Sequence, residues 1–344
     1  MQIRQGKLLD FLGTDGVRFV IPVFQRVYSW DARQCEELWD DIVAAGSQQG
    51  GKAEPHFMGM VLYAADTESW QGMAQYDVID GQQRLTTLSL LLCALARHLD
   101  ETGATVGGLS AAEMFSHYLR VGAGTATAGK LVLSFMDRDT LFALVGAGTM
   151  PPEPAGRLID NLELFYARMR DDAFDAETLW RGLQLLEAAD VLLDHGDNPQ
   201  LVFESLNSKG LALSTADRIR NYIVVSDEAD ATGTGLFERC WLPLESQVAA
   251  ECPADNLSLI VQAWLAARYR SVRIFDESEA YGVFKTCLRD QYAGNMESLL
   301  HDVGAYAHRL ADDEAFHDEE IANAERWVAG KPKELISEYK MFGD

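Results

Sequence analysis

Nowhere in the 344 residues is there a run of about 18 apolar residues free of charge, so no transmembrane helix is expected. The opening MQIRQGKLLDFLG lacks the basic start, apolar middle and small-residue cleavage site of a secretory signal. Cysteine is scarce: Cys35, Cys93, Cys240, Cys252 and Cys287 are odd in number and far apart. With no CxxC and no Cys/His ligand spacing, neither a disulfide framework nor a zinc site is expected, and a reducing cytoplasm is the expected compartment. Basic residues are few, 29 Lys and Arg against 53 Asp and Glu, for a formal net charge of −24. Such a surface argues against general nucleic-acid binding, which needs cations to displace counterions from phosphates. Any DNA contact is expected at a local basic site. A Walker A pattern is absent as well, so no P-loop geometry fixes a triphosphate.

What is present is a folding composition, 48% apolar and 24% charged, long enough for two domains. The pattern predicts an α+β domain over residues 1–230 and a largely α-helical extension over 231–344. Val17–Ile21 is rich in β-branched and aromatic residues and ends at Pro22, as a strand would. Asp31 and Gln34 have capping-box spacing ahead of an apolar stripe of Leu38, Trp39, Ile42 and Val43. Phe57–Tyr63 and Tyr76–Ile79 suit buried strands. After Asp80, leucines at 85, 88, 92, 95 and 99, widened by Leu90 and Leu91, predict a helix buried on most sides. Residues 101–129 read as an insertion or flexible connection with one helical stretch near Ala111–Leu119. Lys130–Phe135 suits a strand and Arg138–Val145 a short helix, and GTMPPEPAG reads as a hinge. Helical patterns run from about Arg157 to Leu193, a strand is expected at Leu201–Phe203, and Ser214 with Asp217 caps a further helix. Beyond Thr232 the pattern is helical, with aromatic residues at core spacing. Seven acidic residues and no Lys or Arg fall within Asp312–Glu325, the composition of a solvated helix face.

Three blocks carry chemistry. In the first, residues 21–30 (IPVFQRVYSW), Gln25 offers an amide, Arg26 a planar fork, and Tyr28 and Trp30 aromatic faces, a set able to grip a phosphate and stack a base. Equally, Tyr28 and Trp30 could pack the following helix while Arg26 pairs with a carboxylate. The second block is Asp80-Gly81-Gln82-Gln83-Arg84, at a strand-to-helix turn. Gly81 permits a tight turn, and the first N–H groups of the helix favour an anion. Arg84 in a first turn opposes the helix dipole, which hints at a bound phosphate or carboxylate. The plainer reading is an Asp N-cap with exposed polar neighbours. In the third block, residues 203–221, Asn207 and Gly210 suit a turn, and Lys209, Arg218 and Arg220 gather positive charge in an acidic chain. Asn221 shares a helix face with Asp217. Here the arginines could simply be solvated.

Together the blocks resemble the DUF262 family, the N-terminal domain of GmrSD-type modification-dependent restriction proteins. The resemblance rests on IPxxQRxYxW at 21–30, FMGMV at 57–61, DGQQRLTTL at 80–88 and FESLNSKGLALSTADRIRN at 203–221, and covers about residues 1–225. It implies a ParB/sulfiredoxin-like fold and binding and hydrolysis of a nucleoside triphosphate, GTP or ATP, with Mg²⁺ as a compatible cofactor. It further implies sensing of modified DNA in phage defence, phosphorothioate DNA in the SspE branch, and control of a nuclease domain or subunit. Asp80, Gln82, Gln83 and Arg84 would then be the catalytic residues. Gln25, Arg26, Tyr28, Trp30, Gly81, Asn207, Lys209, Arg218, Arg220 and Asn221 would bind nucleotide or DNA. A reader of modified (phosphorothioate) DNA that hydrolyses nothing, a nucleotide-binding switch, and a docking module built on the acidic helices are the alternatives. The seven histidines form no nuclease motif. His301 and His308 are two helical turns apart, too far to share a metal, so DNA cleavage by this chain is not expected. The metal, the nucleotide base and the oligomeric state stay open.

Overall fold

The computed structural model of the chain describes residues 2–22, 25, 27–48, 54–122, 128–193, 214–226, 235–252, 255–269, 274 and 277–328. They belong to two compact units, Met1–Ser205 and Leu206–Asp344, a division upstream of the residue-230 boundary read from the sequence.

Among the described residues, the first unit is built on a six-stranded mixed sheet with the order β1-β8-β3-β4-β2-β7. Its strands are β1 (Gln2–Lys7), β2 (Val17–Val20), β3 (His56–Trp70), β4 (Met73–Asp80), β7 (Leu131–Val132) and β8 (Leu186–Leu193). A separate small ribbon pairs β5 (Arg120–Val121) with β6 (Ala128–Gly129). The two apolar runs of the sequence are the inner parts of β3 and β4. These strands extend well past the runs and close as a hairpin through Gln71 and Gly72, both at positive φ (51° and 80°), the backbone that two-residue hairpin turns require. β2 runs parallel to β4 and to β7, and β3 runs parallel to β8.

β8 corrects the sequence reading, which continued the helix through Leu193. Leu-Glu-Ala-Ala are good helix formers, but residues 186–193 pair with β1 on one side and β3 on the other. Leu186, Ala188, Val191 and Leu193 are buried, so tertiary pairing overrides local propensity here. The last strand signal, Leu201–Phe203, lies outside the described residues.

Among the described residues, the helices of this unit are α1 (Leu8–Leu12), α2 (Ala32–Gly46), α3 (Gln82–Thr102), α4 (Ala111–Met114), α5 (Phe135–Leu144), α6 (Gly156–Met169) and α7 (Ala176–Gln184). α2 starts at the expected capping box: Asp31 accepts from the Arg33 N–H, and Gln34 accepts from the Asp31 N–H. In α3 every residue from Leu85 to Ala96 is buried, as the leucine pattern predicted. The stretch read as a flexible connection is anchored through residue 122. α4 runs on into a π-helical turn, Phe115–Leu119, and Val106, Met114 and Leu119 join the main core.

The second unit comprises α8 (Thr215–Ser226), a π-helical turn (Phe237–Trp241), α9 (Leu242–Glu251), α10 (Leu257–Arg268), α11 (Glu277–Tyr292), α12 (Met296–Asp312) and α13 (Glu314–Val328). Its core gathers Trp241, Trp264, Phe284 and Leu299, the aromatic spacing seen in the sequence. α8 begins with the expected Ser214/Asp217 box, each side chain accepting the other's backbone N–H. The acidic helix α13 is not solvated throughout. Glu320 is buried and accepts from the Tyr306 hydroxyl (2.8 Å), while His317 bonds Asp255 (2.6 Å). All five cysteines are buried and none forms a disulfide. No helix among the described residues is long and apolar enough to cross a membrane.

Candidate functional site at the start of α3

The Asp80–Arg84 segment joins β4 to α3 in the first unit. Gly81 is the N-cap residue, at φ 104°, a left-handed conformation that a side chain would strain. No side chain caps the helix, and its first turn holds no acidic residue. A 21-residue helix therefore presents its positive end, with N–H groups that lack intrahelical acceptors, beside the Asp80 carboxylate.

Arg84 does not simply project from that turn. Its guanidinium lies against β3, donating from Nη1 to the Met58 carbonyl and from Nη2 to the Met60 carbonyl (2.6 Å). Nη2 also faces Asp80 Oδ2 at 3.4 Å, where the Arg84 and Asp80 side chains are 19% and 39% exposed. Burial pulls the Arg84 pKa below its ordinary value, and the neighbouring Asp80 opposes that shift. The backbone of Gly59, at φ 87°, makes this possible: a β-carbon there would run into Nη1 of Arg84. Gly59 is the central residue of FMGMV, and nothing in its spacing disclosed that role.

Gln83 is a clamp. Its Oε1 accepts from the Ser29 N–H (2.8 Å), the Trp30 N–H (3.2 Å) and the Ser29 hydroxyl (3.3 Å), fixing the β2–α2 loop to α3. Gln82 and Gln25 are both 4% exposed, and Gln25 Nε2 donates to the Val78 carbonyl of β4. Tyr28 is drawn into the core, 3% exposed, rather than held out as a stacking face. Its hydroxyl bonds Thr87 Oγ1 (2.7 Å) and accepts from Asn161 Nδ2 (2.9 Å), and burial raises its pKa. Its N–H donates to the buried Asp137 carboxylate (2.6 Å). Trp30 is half-buried against the same core, and its carbonyl accepts from Asn161 (2.9 Å). Sequence reasoning missed Asn161, although a polar residue inside the apolar stripe Leu158, Leu162, Phe165 of α6 was a legible sign.

The structure thus brings Gln25, Tyr28, Trp30, Asp80, Gly81, Gln82, Gln83 and Arg84 together in one unit. Arg26, Asn207 and Lys209 lie outside the described residues. Arg218, Arg220 and Asn221 belong to α8 of the second unit. There Arg220, expected as an anion ligand or a solvated cation, is 6% exposed and spoken for by Asp217 (3.7 Å) and Glu245. Asn221 is buried too, and Arg218 is half-buried.

The first unit also carries a cleft of about 350 Å³ lined by Phe11, Phe19, Tyr63, Tyr76, Arg4 and Asp190, among others. Val61 belongs to its wall and also packs at Gly81, where a β-carbon would sit 3.3 Å from Val61 Cγ2.

A mixed sheet feeding a buried helix through a left-handed glycine, with an Asp/Arg pair pinned to the adjacent strand, defines an α+β domain with an anion-favouring turn. Residues 7–224 match the family model described as GmrSD restriction endonuclease, N-terminal domain. That span is well over half the chain, which belongs to this family, the one that its motifs resemble. Membership ties the chain to restriction systems. No curated protein matched it.

Proposed function

We propose that the chain is a nucleoside-triphosphate-hydrolysing sensor, for GTP or ATP, that regulates DNA cleavage by a nuclease domain or subunit in a modification-dependent restriction system. The observation that carries this reading is the Asp80–Arg84 turn: a helix start with no capping side chain, set between an immobilised cation and a part-exposed carboxylate. Phosphoryl transfer is catalysed mainly by positioning and charge neutralisation. The α3 N-terminus and Arg84 would neutralise phosphate charge. Asp80 would orient the attacking water or hold Mg²⁺, for which its exposure leaves room. Gln83 and Tyr28 act one step back, fixing the 27–30 loop against α3 rather than touching substrate. The aromatic cleft offers a stacking surface for a base.

The test is phosphate release from each of the four ribonucleoside triphosphates with Mg²⁺, with and without phosphorothioate DNA. Release from GTP or ATP is expected, with a rate that changes when modified DNA is added. Asp80→Asn should abolish turnover. Failure to hydrolyse any of the four, with DNA present, would remove the proposal.

A further inference from the structure

The second unit holds a cluster that spacing along the sequence hides. Glu297 and His301 are four residues apart on α12 and so share one face. Cys240 is far away in sequence, on the π-helical turn Phe237–Trp241, yet one ligand atom from each of the three lies within 4.8 Å of the others. Cys240 and His301 line a cleft of about 370 Å³, whose wall includes Gln247, Gly304 and His308. We propose that Cys240, Glu297 and His301 form a binding site for a divalent transition metal of the zinc class, with a fourth coordination position open to this cleft.

The donor set decides the metal class. A thiolate, an imidazole and a carboxylate suit zinc and its neighbours, whereas magnesium and calcium take oxygen ligands. Three protein ligands plus an open position is the arrangement of reactive zinc sites rather than closed structural ones. Tetrahedral zinc holds its ligand atoms about 3.3–3.6 Å apart, from bond lengths of about 2.0–2.3 Å. Glu297 and His301 are both exposed, so small side-chain rotations close the remaining gap of about an ångström, while Cys240 is held in place by the core. The π-helical turn matters as well, because one extra residue per turn re-aims a side chain that a regular helix would point elsewhere. A bound dication would take the place of the thiol proton and offset the negative charge of the carboxylate beside it. The strongly acidic chain raises the local cation concentration further. His308, two turns along α12, is engaged by Glu251 (3.2 Å) and Asp312 (3.5 Å), so it edges the cleft without joining the cluster.

The inference does not depend on nucleotide hydrolysis and is tested apart from it. The full chain, stripped of metal and kept in a non-thiol reductant, is titrated with Co²⁺ and then with Zn²⁺. One equivalent of Co²⁺ should bind with a thiolate-to-metal charge-transfer band and the visible bands of tetrahedral cobalt, both bleached by Zn²⁺. Cys240→Ser should abolish the charge-transfer band, and His301→Ala should weaken affinity roughly tenfold or more, since outer-shell changes alone cost that much. Far-UV circular dichroism checks the fold, and the exposed His301 keeps the test decisive if Cys240→Ser does not fold. No band in the wild type overturns the proposal, and so does a band that survives in His301→Ala with unchanged affinity.

Discussion

Replacing Gly59 by Ala should destabilise the first unit through two separable effects. The residue sits at φ 87°, where a β-carbon costs about 1–2 kcal/mol of backbone strain. That β-carbon would also occupy the space of the Arg84 Nη1, forcing the guanidinium off the Met58 and Met60 carbonyls. Loss of charge-assisted hydrogen bonds from a largely covered cation costs roughly 1.5–3 kcal/mol. The single substitution is therefore worth about 2.5–5 kcal/mol, a large part of the stability of a typical domain. With Arg84 already removed the collision has no partner, and Gly59→Ala should cost only the strain. A double-mutant cycle of Gly59→Ala and Arg84→Ala, read from urea midpoints at constant m value, should give a coupling of roughly 1.5–3 kcal/mol. Equal costs of Gly59→Ala in both backgrounds, within about 0.5 kcal/mol, would refute the placement of Arg84 on β3.

Other expectations follow from the same geometry. Tyr28→Phe removes the hydroxyl shared with Thr87 and Asn161 and should lower stability by about 1–2 kcal/mol in denaturant titrations; lost DNA or nucleotide affinity with stability intact would contradict a buried bracing role. Arg220→Ala strands the covered carboxylates of Asp217 and Glu245 and should cost roughly 3–5 kcal/mol, so a change below about 1 kcal/mol would count against a buried ion pair. Burial, then the neighbouring Asp66, push the Asp77 carboxyl up to about 6. A raised folded pKa means that the native state holds its proton more tightly, so this residue destabilises the fold as pH rises from about 4 through 6. Asp77→Asn should accordingly stabilise at pH 8 by on the order of 1 kcal/mol, the value reduced for solvent screening of a half-exposed group, and should do little at pH 4. A stability gain that does not vary between those two pH values would be inconsistent with that titration.

Local rules made much of the fold legible. The Asp31/Gln34 and Ser214/Asp217 boxes are short-range hydrogen-bond patterns, and the leucines of α3 are a one-dimensional record of burial. β8 escaped because its residues are helix formers, and only pairing with β1 and β3 makes them a strand. The same divide runs through the site. The turn at Gly81 could be read from residue type, since strand, glycine and helix are adjacent in sequence. That Arg84 reaches back to β3, that Tyr28 is braced by Asn161 and that Arg220 meets Glu245 are encounters across 24 to 133 residues. No local periodicity encodes them. Cysteine spacing weighs only neighbours in sequence, whereas Cys240 meets Glu297 and His301 in three dimensions.

The register of β1 against β8 sets Gln2 beside Leu192, so β1 begins and β8 ends at the same corner of the sheet. Strand ends held side by side in this way can be bridged by a short link without stretching the sheet between them. Joining those ends with a short linker and cutting the chain elsewhere, at the exposed Gln71–Gly72 tip for instance, should likewise preserve the sheet.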